Sequence, residues 1–221
     1  MNVEQARFNM VEQQIRTWEV LDQDVLDLLY AVRREDFVLK TYRDLAFSDL
    51  EIPLRAGAEP CEHMWAPKFE ARVLQELAVK KSDSVLEVGT GSGYLAALLA
   101  HRAQHVRSIE INPELASFGR DNLARAGVEN VTLEQGDGSR GWSTHAPYDV
   151  IVVTSSMPVL PREFLSQLTP GGRLFAVLGD PPVMAARLLT CLAEGSHVQR
   201  DLFETCLAPL KNALQPERFQ F

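Results

Sequence analysis

The chain has 221 residues, 46% hydrophobic and 24% charged, the composition of one ordinary globular domain with enough length for a substantial core. Its net charge of −8 argues against a large phosphate-tracking surface, so nucleic acid is not expected as a partner. Three widely spaced cysteines without a C-x-x-C pair, a polar N-terminus and no long apolar run point away from a disulfide framework, a zinc cluster, a signal segment and a membrane span, and toward a reducing cytoplasm.

Residues 3–17 have helical spacing, with Phe8, Val11 and Ile15 as the expected buried face. Asp22 is the expected cap of a second helix whose apolar face is Val25, Leu28, Leu29 and Val32. Arg33-Arg34-Glu35-Asp36 then reads as a polar exit into solvent. Both helices are expected to cover the catalytic region. Residues 46–67, punctuated by proline, glycine and small residues, read as a long irregular loop, and long loops in compact domains are usually functional. Pro67 opens a helix to about Val79.

From Ser84 the pattern alternates strand and helix. Strands are expected at Ser84–Val88, His105–Glu110, Val131–Glu134, Asp149–Val153 and Arg173–Leu178. Helices are expected at Tyr94–His101, from Asn112-Pro113 to a stop at Gly127, and from Pro161 to Leu168. Such an order requires a parallel sheet with right-handed crossovers. Arg187–Leu192 and Leu202–Leu207, joined near Gly195-Ser196, read as an antiparallel pair that finishes the sheet. The predicted fold is therefore α/β: a doubly wound, mostly parallel seven-stranded sheet with an N-terminal helical extension. One domain is expected, with 1–80 as helical cover and substrate-side loop, 81–180 as nucleotide-binding core, and 181–221 as C-terminal strands and tail. The tail, Pro209–Phe221, has no period, and nothing in the sequence specifies an oligomeric state.

The chemistry begins at Glu87-Val88-Gly89-Thr90-Gly91-Ser92-Gly93-Tyr94. A strand runs into a glycine turn and then a helix N-terminus, a nucleotide-type arrangement. Gly89, Gly91 and Gly93 carry no Cβ, so the backbone can turn sharply and a ligand can approach it. The dinucleotide fingerprint is G-x-G-x-x-G, whereas this turn is G-x-G-x-G and Tyr94 stands at the third glycine. Glu87 at the strand end would repel a pyrophosphate and suits a ligand carrying an amino group and a sulfonium. The turn resembles motif I of class I S-adenosylmethionine-dependent methyltransferases.

Ligands of open parallel sheets sit beyond the C-terminal strand ends. Glu110, about 20 residues past the turn, is placed to accept ribose hydroxyls, with Ile111 against the adenine face. Asp137, in Gly136-Asp137-Gly138, is placed to accept from the adenine amino group. Thr154, Ser155 and Ser156 follow the fourth predicted strand and offer hydroxyl and N–H groups for the substrate. Asp180-Pro181-Pro182-Val183 lacks the aromatic residue of an amino-methyltransferase motif and reads as a turn. The five histidines show no metal-binding spacing, so no metal is expected.

Met10 to Arg16, Val85 to Leu95, the run from Asn130 through Gly141-Trp142 and Ala146-Pro147-Tyr148-Asp149 to Thr154, Pro170 to Leu174, and Ala208-Pro209-Leu210 are similar to the protein-L-isoaspartate O-methyltransferases over nearly the whole chain. That resemblance implies S-adenosyl-L-methionine as cofactor and isoaspartyl-containing proteins or peptides as substrate, with methylation of the abnormal α-carboxyl in protein repair. The family places a Thr-Ile-Ser-type motif before the helix at Pro67. Aligned on Pro67, Ala71 and Arg72, this chain has His63 at the threonine and Trp65 at the serine, so both are candidate substrate-side residues. Three functions follow: isoaspartyl carboxyl methylation, methyl transfer by the same fold to another acceptor, or a non-enzymatic nucleotide-binding module. Tyr94 and Glu87 disfavour an NAD-dependent dehydrogenase.

Overall fold

The computed structural model describes residues 2–193 and 195–217. Helix α1, Val3–Asn9, starts at Asn2, whose side chain accepts from the Gln5 N–H at 3.2 Å. The path continues as a π-helical turn, Met10–Ile15, and a 3₁₀ turn, Arg16–Trp18. Val11 and Ile15 of the expected face are buried, and the change of pitch corrects only its first member, Phe8. A π turn aligns residues five apart, so Met10 and Ile15 point inward together, while Phe8 is left 50% exposed. Helix α2, Gln23–Ala31, begins at the predicted cap, where Asp22 accepts from the N–H groups of Asp24 and Val25, and all four residues of its predicted apolar face are buried.

The polar exit is not a solvated face. Arg34 and Glu35 are buried, and each has a partner brought in from elsewhere. Arg7 of α1 donates to Glu35 at 2.5 Å, and Arg34 donates to Glu70 and to the Trp65 carbonyl oxygen. Charges are buried this way only when paired, because desolvation would otherwise be prohibitive.

The expected irregular stretch at 46–67 contains a small antiparallel ribbon of β1, Ile52–Pro53, and β2, His63–Met64. Helix α3, Pro67–Leu77, starts at its predicted proline and stops at Ala78, which takes a left-handed conformation. The alternating core follows as β3, Ser84–Val88; α4, Tyr94–Arg102; β4, His105–Glu110; α5, Pro113–Arg125; β5, Val131–Gln135; β6, Tyr148–Met157; α6, Arg162–Ser166; and β7, Leu168–Asp180. Strands β8, Val183–Ala193, and β9, Ser196–Thr205, complete it.

Four strands differ in extent from expectation, among them β8, which starts at Val183 rather than Arg187. Strand β6 runs on to Met157, with an irregular register against β7 between Val152 and Ser156. Strand β7 starts at Leu168 and includes Gly171-Gly172, which lie in a register break against β6: Tyr148 faces Leu168 and Val150 faces Arg173, and Gly171 has φ +81°. Strand β9 covers Ser196–Thr205 rather than Leu202–Leu207: its first six residues are all exposed and, Val198 apart, polar, so no alternation marks them.

The seven-stranded sheet has the order β5-β4-β3-β6-β7-β8-β9. Strands β3 to β7 pair in parallel, and β8 and β9 are antiparallel. Alternate residues feed two cores. Val85, Val150, Val152 and Phe175 pack beneath α3 and α4, while Leu86, Val88, Ile151, Val153 and Leu174 pack with Phe164 of α6. Chain order reverses at β3, which lies between β4 and β6, and that reversal opens a crevice at the carboxyl ends of these strands. The C-terminal segment returns to it: Pro209 bridges Ser156 of β6. No described helix is long and apolar enough to cross a membrane.

Candidate functional site

Glu87 lies at the floor of that crevice. It is fully buried near the end of β3, and its register partner on β4 is Ser108. The Ser108 hydroxyl donates to Oε2 and in turn shares a 2.6 Å hydrogen bond with the Thr90 hydroxyl. Oε1 is buried and has no hydrogen-bond partner among the described residues. Burial pushes the carboxyl up to about 8; Ser108 opposes the shift, and Glu110 and Glu70 add to it. An unsatisfied buried acceptor is costly, and a donor or cation supplied by a ligand would relieve it.

The glycine turn is shaped by close approach. A Cβ on Gly89 would lie 2.1 Å from the Thr154 Oγ1, and Gly89 has φ +97°. That hydroxyl is shared between the carbonyl oxygens of Val88 and Gly89, at 2.9 and 3.1 Å, so β6 clamps the turn. Gly93 caps α4 with φ 80°. The Ser92 hydroxyl accepts from the Tyr94 N–H at 3.2 Å.

Glu110, at the end of β4, accepts from the Gly91 N–H on Oε2 and from the Asn112 N–H on Oε1, each at 2.9 Å. Each carboxylate oxygen has two lone pairs, so one on each remains for a vicinal diol. Asp137 accepts from the Ser139 N–H on Oδ1 and from Asn212 Nδ2 on Oδ2, both at 2.9 Å. Partial burial raises the Asp137 carboxyl, and these hydrogen bonds, with Arg140, outweigh it and hold the group below its usual range.

On the acceptor side, Trp65 is 6% exposed and stands edge-on to Phe69 and Phe175 at 4.6 and 6.2 Å. Its carbonyl oxygen is held by Arg34, so the indole forms a fixed wall. His63 is half-buried, with Nδ1 3.1 Å from the Glu59 carbonyl oxygen. Thr154, Ser155 and Ser156 belong to β6 rather than following it, which corrects their expected place. The Ser156 hydroxyl is buried and donates to the Leu207 carbonyl oxygen at 2.8 Å, so it does not reach a substrate. Ser155 lines the crevice, and no hydrogen bond among the described residues takes its hydroxyl.

The crevice encloses about 830 Å³, part of it open to solvent. His63, Trp65, Glu87, Gly89, Thr90, Gly91, Ser92, Glu110, Ile111, Asp137, Gly138, Thr154 and Ser155 all line it. Gly93 does not; its part is local. Glu62, Glu70 and Lys211 also line it and are among the residues that carry no signal singly in the sequence; Leu210 lines it beside them. Leu210 ends the stretch Ala208-Pro209-Leu210 and Lys211 directly follows it, and the likeness of that stretch to the family was the available clue.

The donor set decides which ligand fits. Glu62, Glu70, Glu87, Glu110 and Asp137 line one cleft; a pyrophosphate would be repelled by Asp137, whose carboxyl is held below its usual range, and would offer the buried Glu87 acceptor no cation. A cationic amino acid head joined to an adenosine would give Glu87 Oε1 its missing partner, Glu110 a ribose and Asp137 an adenine amino group. S-adenosyl-L-methionine has these parts, and the residues present fit it.

A family model described as protein-L-isoaspartate(D-aspartate) O-methyltransferase matches residues 5–215. Among relatives, protein-L-isoaspartate O-methyltransferase of Methanoculleus marisnigri is 42% identical over 173 residues, 78% of this chain and 77% of that one. The enzyme of the same name from Rhodopseudomonas palustris is 38% identical over 212 residues, 94% of this chain and 95% of that one. A solved protein-L-isoaspartate O-methyltransferase superposes with a TM-score of 0.79 at 24% identity, covering 94% of this chain and 65% of that one. A Plasmodium falciparum protein described likewise, solved with S-adenosyl-L-homocysteine, gives 0.77 at 19% identity, covering 91% and 96%. The two structures establish the Rossmann-like class I methyltransferase fold, and the family model with the sequence relatives establishes more: this chain belongs to the protein-L-isoaspartate(D-aspartate) O-methyltransferase family.

Proposed function

We infer that this chain transfers a methyl group from S-adenosyl-L-methionine to the free α-carboxyl of L-isoaspartyl residues in damaged proteins. The resulting ester loses methanol as the following backbone nitrogen attacks its carbonyl and closes a succinimide, which water can reopen as normal aspartate. The observation that carries the donor side is the buried, partnerless Oε1 of Glu87 at the floor of a cleft bounded by Glu110 and Asp137. Family membership carries the acceptor side.

Bound there, S-adenosyl-L-methionine supplies an electrophilic methyl on a sulfonium centre. The chain's own groups do the rest. An acceptor carboxyl of ordinary pKa, about 3.9 for Asp, is already ionised at neutral pH, so no general base is required. What remains is to align one carboxylate oxygen and to exclude water. Ser155 offers the acceptor a hydroxyl, and Trp65 with Met64 and Leu54 closes an apolar wall. Thr154 acts indirectly, by holding the glycine turn through Val88 and Gly89.

Three stretches of chain then have three roles. Residues 1–80 cover the core and carry the acceptor loop, 81–180 bind the nucleotide, and the C-terminal part, 181–221, closes the sheet and, at 208–213, returns to the site; residues 218–221 of it lie outside the described residues. Three free cysteines support a cytoplasmic setting. Purified protein should move labelled methyl onto an isoaspartyl peptide and not onto its aspartyl twin. No transfer, with S-adenosyl-L-homocysteine still bound, would favour another acceptor. Trp65 is the observation behind that second reading, since a fixed indole stands where the family places a serine hydroxyl. A Trp65→Ser variant with higher isoaspartyl transfer than its parent would support it.

A further inference from the structure

Glu62 is tied to three separate pieces of chain although it is only 2% exposed. Its Oε2 accepts from Arg55 at 2.8 Å and from the Glu59 N–H at 3.0 Å, both within the acceptor loop. Its Oε1 accepts from Asn112 Nδ2 at 2.8 Å and from Lys211 Nζ at 3.4 Å. Asn112 is the cap of α5, and its backbone N–H is held by Glu110, the ribose acid. A continuous line of hydrogen bonds therefore runs from the C-terminal segment through Glu62 and Asn112 to Glu110.

The next residue of that segment reaches the other nucleotide acid. Asn212 donates to Asp137 Oδ2 and adopts a left-handed backbone at φ 60°, a conformation asparagine tolerates better than most residues. The segment is fixed just before these contacts: the Ser156 N–H donates to the Ala208 carbonyl oxygen, and the Leu210 N–H to the Ser156 carbonyl oxygen, at 3.0 and 2.8 Å. Leu210 and Lys211 line the same crevice as Glu87, as do Glu62 and Cys61 of the loop. Two adjacent side chains thus hold the partners of the ribose and of the adenine, and one of them also pins the acceptor loop to the rim.

We propose that Lys211 and Asn212 are positioning residues for the methyl donor: through Glu62–Asn112 and through Asp137 they set the two nucleotide acids and latch the acceptor loop over the donor. The proposal rests on the donor reading above. Lys211 suits a latch rather than a permanent brace. It is partly exposed and pairs also with Glu59 at 3.2 Å, and a solvated ion pair of this kind is weak enough to open.

The test is the affinity and dissociation rate of S-adenosyl-L-homocysteine, measured by calorimetry and stopped-flow displacement on the full chain. Lys211→Met and Asn212→Gly should each weaken binding by about 3- to 10-fold, mainly through faster dissociation. Lys211→Arg should restore it to within about twofold. Glycine accepts the backbone of position 212, so the ligand-free melting midpoint of Asn212→Gly should stay within about 3 °C of the parent, a shift of at most about 1 kcal/mol. Unchanged dissociation with a lowered midpoint would make the segment a structural brace and overturn the proposal. A parent protein that fails to bind S-adenosyl-L-homocysteine would overturn the donor reading itself, a result distinct from a bound ligand that ignores these substitutions.

Discussion

Replacing Glu87 by glutamine separates the two things its carboxyl does. In the ligand-free protein the group is buried, Ser108 satisfies one oxygen, and the pKa is pushed up to about 8. The charged groups nearest it, Glu110 on β4 and Glu70 on α3, are acids, and Arg34 is occupied by Glu70. An acid raised in the folded state holds a proton that the unfolded chain releases. Its contribution to stability is full below the unfolded value near 4.5 and is lost as pH rises toward about 8. By pH 7 that loss is about 3 kcal/mol, taking one proton over the whole interval.

A cationic amino group at Oε1 requires the carboxylate, so binding should expel the proton. With a pKa of about 8, roughly nine molecules in ten carry it at pH 7, and binding S-adenosyl-L-homocysteine should release about 0.9 proton there. The ligand's own α-amino group, near 8, stays protonated in that range, so affinity should rise almost tenfold from pH 6 to pH 7. Glu87→Gln should abolish the release, flatten the dependence of stability on pH between 5 and 8, and weaken binding by about 10- to 150-fold, the value of a charged hydrogen bond. Titration calorimetry in two buffers of different ionisation enthalpy counts the protons directly. Equal release from variant and parent, or none from the parent at pH 7, would refute this account of Glu87.

Glu110→Ala should cut the thermal stabilisation by S-adenosyl-L-homocysteine sharply, and NAD should stabilise neither protein; a thermal-shift assay reads both. Gly89→Ala should abolish donor binding, because its Cβ would lie 2.1 Å from the Thr154 Oγ1, and Gly89→Ala with Thr154→Ala should recover part of it, though the positive φ keeps some strain. Arg34→Met should cost about 3–5 kcal/mol in urea unfolding, since the buried Glu70 carboxyl, which burial pushes up to about 8 against the pull of Arg34, loses its guanidinium partner, and adding Glu70→Gln should return part of that loss. An Arg34→Met protein of parental stability would show that this ion pair does not hold Trp65 in place.

What could be read in advance follows from how local each cause is. Asp22 and Asn112 act on N–H groups within a few residues, so their caps are visible in the chain itself. Glu87, Glu110 and Asp137 come together because parallel strands put all their carboxyl ends on one edge, a rule that needs only the strand order. Arg34 and Glu35 look like a solvated run because nothing nearby shows that Glu70, 36 residues on, and Arg7, 28 residues back, will meet them inside. Pro209 to Asn212 is harder still. It has no period, because it is neither a helix nor a sheet strand; a bridge to Ser156, contacts to Glu59 and Arg140, and side-chain contacts to Glu62 and Asp137 hold it, the last two across 149 and 75 residues. Local pattern therefore exposes the groups that would touch the donor and hides those that fix them. The hidden ones determine whether Glu110 and Asp137 are already in position when a ligand arrives, and preorganisation of that kind is what converts a matching set of side chains into affinity.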